Sequence, residues 1–177
     1  MWYLAFISFL LLGGYLLLMA LRFGIPNMVS DTYYQLQPTT GSEIAPFKQP
    51  RNMGWLFSLI LVAVGFLMLI CLLDTGRGIQ FLAFLGCAGL CFVGCAPNYS
   101  DHDAYSVHKA AAIIAAVGSV GWSVSVSIIP TLVILTAYFA YAYHSRRDKA
   151  SHPWYWLEIA GFIDVFLTYF FAELFII

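Results

Sequence analysis

The chain has 177 residues, of which 62% are hydrophobic and only 10% charged, and its mean hydropathy is +0.83. A soluble domain carries about 25% charged residues, so this composition excludes a water-soluble enzyme, a disordered segment and a disulfide-stapled secreted module. With 8 Lys+Arg against 9 Asp+Glu, the chain also lacks the basic surplus of a nucleic-acid binder.

The first apolar run covers 3–21. No positively charged stretch precedes it, and it is longer than a signal-peptide core, so it reads as a retained transmembrane helix. The segment 22–53 then forms the one sizeable loop. Gly24-Ile25-Pro26-Asn27 breaks the helix, and Ser30 or Asp31 caps a short interfacial helix ending at Leu36. Tyr33 and Tyr34 are its expected headgroup anchors. Gln37 to Asn52, with Pro38, Gly41, Pro46 and Pro50, reads as irregular linker.

Further apolar runs cover 54–73 and 80–96, and a long one covers 106–143. As a single helix this last run would be about 57 Å long, nearly twice the hydrocarbon thickness. It must break. Gly121, Trp122, Ser123, Ser125, Ser127 and Pro130 suit a tight turn and a new helix start, which divides it into 106–123 and 128–143. With the run 154–174, the expectation is an all-α fold: a polytopic transmembrane bundle of six helices in one membrane domain, 1–177.

Charge bias orients the bundle. Arg22, Lys48, Arg51, Lys109, Arg146, Arg147 and Lys149 share one side, and only Arg77 falls on the other. The positive-inside rule puts that side in the cytoplasm and both termini outside. Trp2, Tyr3 and Trp122 are then expected at the outer interface, and Trp55, Trp154, Tyr155 and Trp156 at the inner one. Small residues recur at every fourth position in two runs: Ala83, Cys87, Cys91, Cys95, and Ala111, Ala115, Ser119, Ser123. Such stripes allow close helix contact in lipid, so these two helices belong at the bundle centre. The cysteines read as small packing residues, since no CxxC pair is present.

Asp164, ten residues past Trp154, is placed near the bilayer midplane, where a carboxyl costs about 2.5–3.5 kcal/mol and needs a partner. Ser119, eleven residues past His108, is expected at the same depth. Thr168 follows one turn beyond Asp164. Closer to the inner surface, Glu158 is expected to face His108 or Lys109. These six residues form a candidate polar ladder, read as helix–helix glue or as a proton path centred on Asp164. A metal site on the cytoplasmic face would draw on His102, Asp103, His108 and His152, because zinc needs three or four converging ligands.

Gly24-Ile25-Pro26, Ser30-Asp31-Thr32-Tyr33-Tyr34, Gly54-Trp55-Leu56-Phe57, Gly94-Cys95-Ala96-Pro97-Asn98 and Val107-His108 resemble a family of small polytopic membrane proteins from bacteria and their phages. The pair Pro97-Asn98 followed by His108 and Ala112 is also similar to the six-helix DRAM-type and post-GPI-attachment membrane proteins. Both resemblances imply a membrane bundle, the first of them with the bacterial cytoplasmic membrane as its setting, and neither carries a catalytic residue onto this chain. The expected function is therefore that of a structural, accessory or lipid-contacting membrane protein without a cofactor. A small proton-coupled carrier or channel using Asp164 and a metal-dependent membrane lipid hydrolase with a cytoplasmic-side His/Asp site are the alternatives. The expected partners are the lipid bilayer and a second copy or another membrane protein.

Overall fold

A chain surrounded by hydrocarbon must satisfy its backbone polar groups internally, and helices do so segment by segment. The computed structural model describes residues 1–37, 53–98, 102–145 and 151–175, and every regular element among these is helical. In chain order they are α1 (Trp2–Phe23), a 3-10 turn (Val29–Asp31), α2 (Thr32–Gln35), α3 (Trp55–Asp74), α4 (Gln80–Cys95), α5 (His102–Val126), α6 (Ile128–His144) and α7 (Pro153–Phe175). Trp2–Phe23, Trp55–Asp74 and Ala104–Val126 are long and apolar enough to cross a membrane, while Gln80–Cys95 and Ile128–His144 are shorter apolar helices. The linker 38–52 and the basic residues Lys48, Arg51, Arg146, Arg147 and Lys149 lie outside the described residues.

Local chemistry sets the helix ends. α1 stops at Gly24, whose φ of +83° suits a residue without a Cβ, and the Gly24 N–H closes the last turn on Ala20 O at 3.0 Å. Between α5 and α6 stands the single residue Ser127, whose Oγ accepts from Ile129 N–H at 3.3 Å. Pro130 follows in the first turn of α6, where a missing N–H is tolerated.

The long helices alternate in direction, so their termini gather at two ends. At the loop end, Met53 N–H donates to Leu36 O at 3.1 Å and Tyr34 Oη–H to Asn98 Oδ1 at 3.2 Å. At the opposite, turn end, Ile79 N–H donates to Ser125 Oγ at 2.9 Å and an Arg77 guanidinium N–H reaches Ala172 O. Arg22 and Lys109 belong to the loop end and Arg77 to the turn end. Neighbouring helices follow the order α1, α3, α4, α5, α7, with α7 returning to α1 and α6 lying outside against α5 and α7.

The most intimate pair is α4 with α5, and glycine is the reason. A Cβ on Gly118 would stand 2.5 Å from Gly86 N, and one on Gly89 would stand 2.6 Å from Ala115 N. The backbones thus approach in the small-residue manner of membrane helices. The cysteine stripe of α4 faces the other way: Cys91 Sγ would lie 2.7 Å from a Cβ on Gly65 of α3.

The aromatic side chains divide between the inside of the bundle and its surface. Trp122 is fully buried, its Nε1–H donating to Arg77 O of the turn end at 3.1 Å. Tyr155 is buried as well, whereas Trp55 and Trp154 are exposed. Tyr33 packs over the start of α3 against Phe57, ring centroids 6.1 Å apart.

Candidate functional site

Polar residues of the bundle collect in two separate places, one at the loop end and one between α5, α6 and α7. The loop end is a closed hydrogen-bonded layer. After α1 the chain folds back under the bundle, burying Val29, Ser30, Thr32 and Leu36, and a buried loop must find partners for its polar groups. Val29 N–H donates to Glu158 Oε2 at 2.6 Å, and Thr32 Oγ1–H donates to Val29 O at 2.7 Å while accepting from Tyr15 Oη–H at 2.8 Å. Asp31 Oδ2 accepts from Met28 N–H at 3.0 Å, closing the 3-10 turn.

His108 completes this layer. Its Nδ1 is 2.8 Å from Ala96 O and its Nε2 is 3.0 Å from Ser30 Oγ. A carbonyl only accepts, so Nδ1 carries the hydrogen, and in the neutral ring Nε2 accepts from the serine hydroxyl. His108 and Glu158 therefore share a layer, but the loop residues Val29 and Ser30 stand between them. Lys109 is exposed, its Nζ 5.9 Å from the Tyr105 ring centroid.

The second place surrounds Asp164, which is 2% exposed. Ser119 is not its partner: Ser119 Oγ would lie 2.5 Å from a Cβ on Gly86, so it faces α4. The level of Asp164 on α5 is taken instead by Ser123, one turn later. Counting eleven residues from His108 against ten from Trp154 misplaced it, because α5 runs more residues before this level (from His102 to Ser123) than α7 does (from Pro153 to Asp164). The nearest polar neighbours of the carboxylate are the hydroxyls of Thr131 on α6 and Ser123 on α5. No hydrogen bond closes among these groups, nor at Thr168 Oγ1. Ser123 and Thr131 are the residues the sequence reading missed. Each stands four positions from Ser127, so an antiparallel hairpin about that residue brings them to one level, and this symmetry was the available signal.

A third feature is apolar. Phe9, Gly13 and Leu16 of α1 and Ile159, Phe162 and Phe166 of α7 line a cleft of about 220 Å³ whose walls expose no polar surface. Phe9 meets Phe166 edge-on, with ring centroids 5.3 Å apart, and Gly13 leaves the notch: a Cβ there would touch nothing within 4 Å.

Of the metal candidates, the side chains of His102 and Asp103 lie outside the described residues. His108 is engaged as above, and His152 Nδ1 lies 3.2 Å from Asn27 Oδ1. Among the described residues no three His, Cys, Asp or Glu side chains converge. Comparison with known proteins brought no match, whether to family models, to curated proteins or to solved structures.

Proposed function

We propose that the chain is an integral membrane protein with six spanning helices and both termini outside, acting as a lipid-contacting accessory protein that holds an acyl chain between α1 and α7. The cleft between these helices carries the reading. It lies among apolar helix faces and its walls expose no polar surface, so the group that suits it is hydrocarbon. At about 220 Å³ it is too small for a helix of about 10 Å diameter. A single chain of methylenes fits.

The six-span arrangement draws support from the common ends of the helices. α4 and α6 are shorter apolar helices beside the three long ones, and α7 covers 23 residues from Pro153 to Phe175. Arg22 and Lys109 mark the loop end as cytoplasmic, and the resemblance to bacterial and phage proteins favours a bacterial cytoplasmic membrane.

The test is reconstitution of the full chain in phosphatidylcholine vesicles containing a phospholipid with a photoreactive diazirine on one acyl chain. Crosslinks are expected to concentrate on Phe9, Gly13 and Ile163, above the level at Ile113 and Val117 on the exposed face of α5. Gly13→Leu, at a position where an added Cβ meets nothing within 4 Å, is expected to fill the notch and remove the excess. Equal labelling of both faces would refute the proposal.

A further inference from the structure

The groups around Asp164 are all oxygen donors, and they come from three helices. Asp164 and Thr168 belong to α7, Ser123 to the last turn of α5 and Thr131 to the first turn of α6. Thr168 follows Asp164 by one turn on the same face of α7. All four are more than nine-tenths buried: 2% exposure for Asp164, 5% for Thr131 and 0% for Ser123 and Thr168. Neither carboxylate oxygen nor any of the three hydroxyls closes a hydrogen bond of good geometry among the described residues, although Thr131 and Ser123 stand beside the carboxylate. Buried polar groups of native proteins are ordinarily paired, so hydroxyls of two other helices gathered at an incompletely bonded buried carboxylate point to a ligand.

We propose that Asp164, Ser123, Thr131 and Thr168 form a binding site for a dehydrated monovalent metal cation, with sodium as the ion they fit. Oxygen donors select a hard cation over a thiophilic metal. Charge selects its valence. Asp164 makes no ion pair among the described residues, so one positive charge neutralises the site. A divalent ion would leave an excess charge away from water, where an uncompensated charge is strongly disfavoured. The hydroxyls of Ser123, Thr131 and Thr168 then turn their lone pairs to the ion and replace its water. Because the donors are shared among α5, α6 and α7, binding draws α6 onto its two neighbours. α6 buries only Pro130 and Thr131, so it is the helix with the least to hold it otherwise.

The site is tested on the full-length protein in detergent by thermal unfolding at fixed pH and ionic strength, with sodium chloride exchanged for choline chloride. A ligand that binds only the folded state stabilises it in proportion to the logarithm of its concentration. The wild-type Tm is expected to rise by about 5 °C between about 1 mM and about 100 mM sodium. Potassium is expected to give a smaller rise. Asp164→Asn, Thr131→Val and Ser123→Ala are each expected to abolish the sodium dependence, so the hydroxyl variants serve if the carboxyl variant does not fold. Equal Tm values in sodium and choline would overturn the proposal and leave the carboxyl as a protonated packing group. An undiminished sodium response in the variants would overturn it equally, by placing the ion elsewhere.

Discussion

His108 Nε2 and Ser30 Oγ lie 3.0 Å apart although 78 positions separate them in the chain. This contact fastens the segment after α1 to the start of α5, and the same imidazole holds Ala96 O at the end of α4 through Nδ1. One ring thus joins three elements, and the first prediction concerns its removal. His108→Ala leaves a buried hydroxyl and a carbonyl unpaired, at about 1–3 kcal/mol for each group. Ser30→Ala removes one bond and is expected to destabilise by about 0.5–1.5 kcal/mol. Denaturant unfolding in detergent micelles measures both, and a larger loss in Ser30→Ala would contradict the assigned geometry.

Tyr15 and Thr32 make a second tie between α1 and the loop. Tyr15→Phe removes only the phenolic donor and is expected to destabilise by about 1 kcal/mol. Thr32→Val removes the acceptor for Tyr15 and the donor to Val29 O together, so its loss is expected to exceed that of Tyr15→Phe. Limited proteolysis of the segment 24–37 should follow the same order.

Glycines of equal chemistry are expected to differ in tolerance. Gly118→Leu forces side-chain atoms into the backbone of α4, where even a Cβ would be 2.5 Å from Gly86 N. Overpacking of this kind commonly costs about 1–3 kcal/mol, and backbone contact leaves little room for relief. At Gly14 an added Cβ would meet nothing within 4 Å, and Gly14→Leu is expected to leave the Tm within a degree or two, as surface substitutions usually do. Thermal melts of the two variants side by side decide the matter.

Thiol labelling follows burial. Cys95 is exposed, Cys91 is partly buried, and Cys71 and Cys87 are buried. A membrane-permeant maleimide is expected to modify Cys95 first and Cys71 and Cys87 only after unfolding, with mass spectrometry reading the order. Early modification of Cys87 would mean that α4 does not pack against α3 as described.

Hydropathy and turn chemistry made much of the architecture legible, because each acts over a few adjacent residues. Apolar length announces a helix, Gly24-Ile25-Pro26 ends one, and Ser127 with Pro130 starts another. The same signals marked Ser30 and Asp31 as the start of a short helix after α1. The prominence of Asp164 was also legible, since a carboxyl within an apolar run stands out by composition alone.

Which side chains meet was another matter. Ser119 and Ser123 are one turn apart on one helix, and nothing in their spacing says that the first faces Gly86 while the second faces Asp164. That choice depends on how closely α4 and α5 approach, which Gly86, Gly89 and Gly118 set together from opposite sides of an interface. Likewise His108 and Glu158 were expected to face each other, and only the fold-back of the chain after α1 puts Val29 and Ser30 between them. Composition and periodicity act along the chain and so determine that it forms apolar helices with a few conspicuous polar residues. Partnership depends on helix rotation and axial shift, and these were decided by packing across the bundle, where glycine contacts and buried hydrogen bonds had to be satisfied all at once.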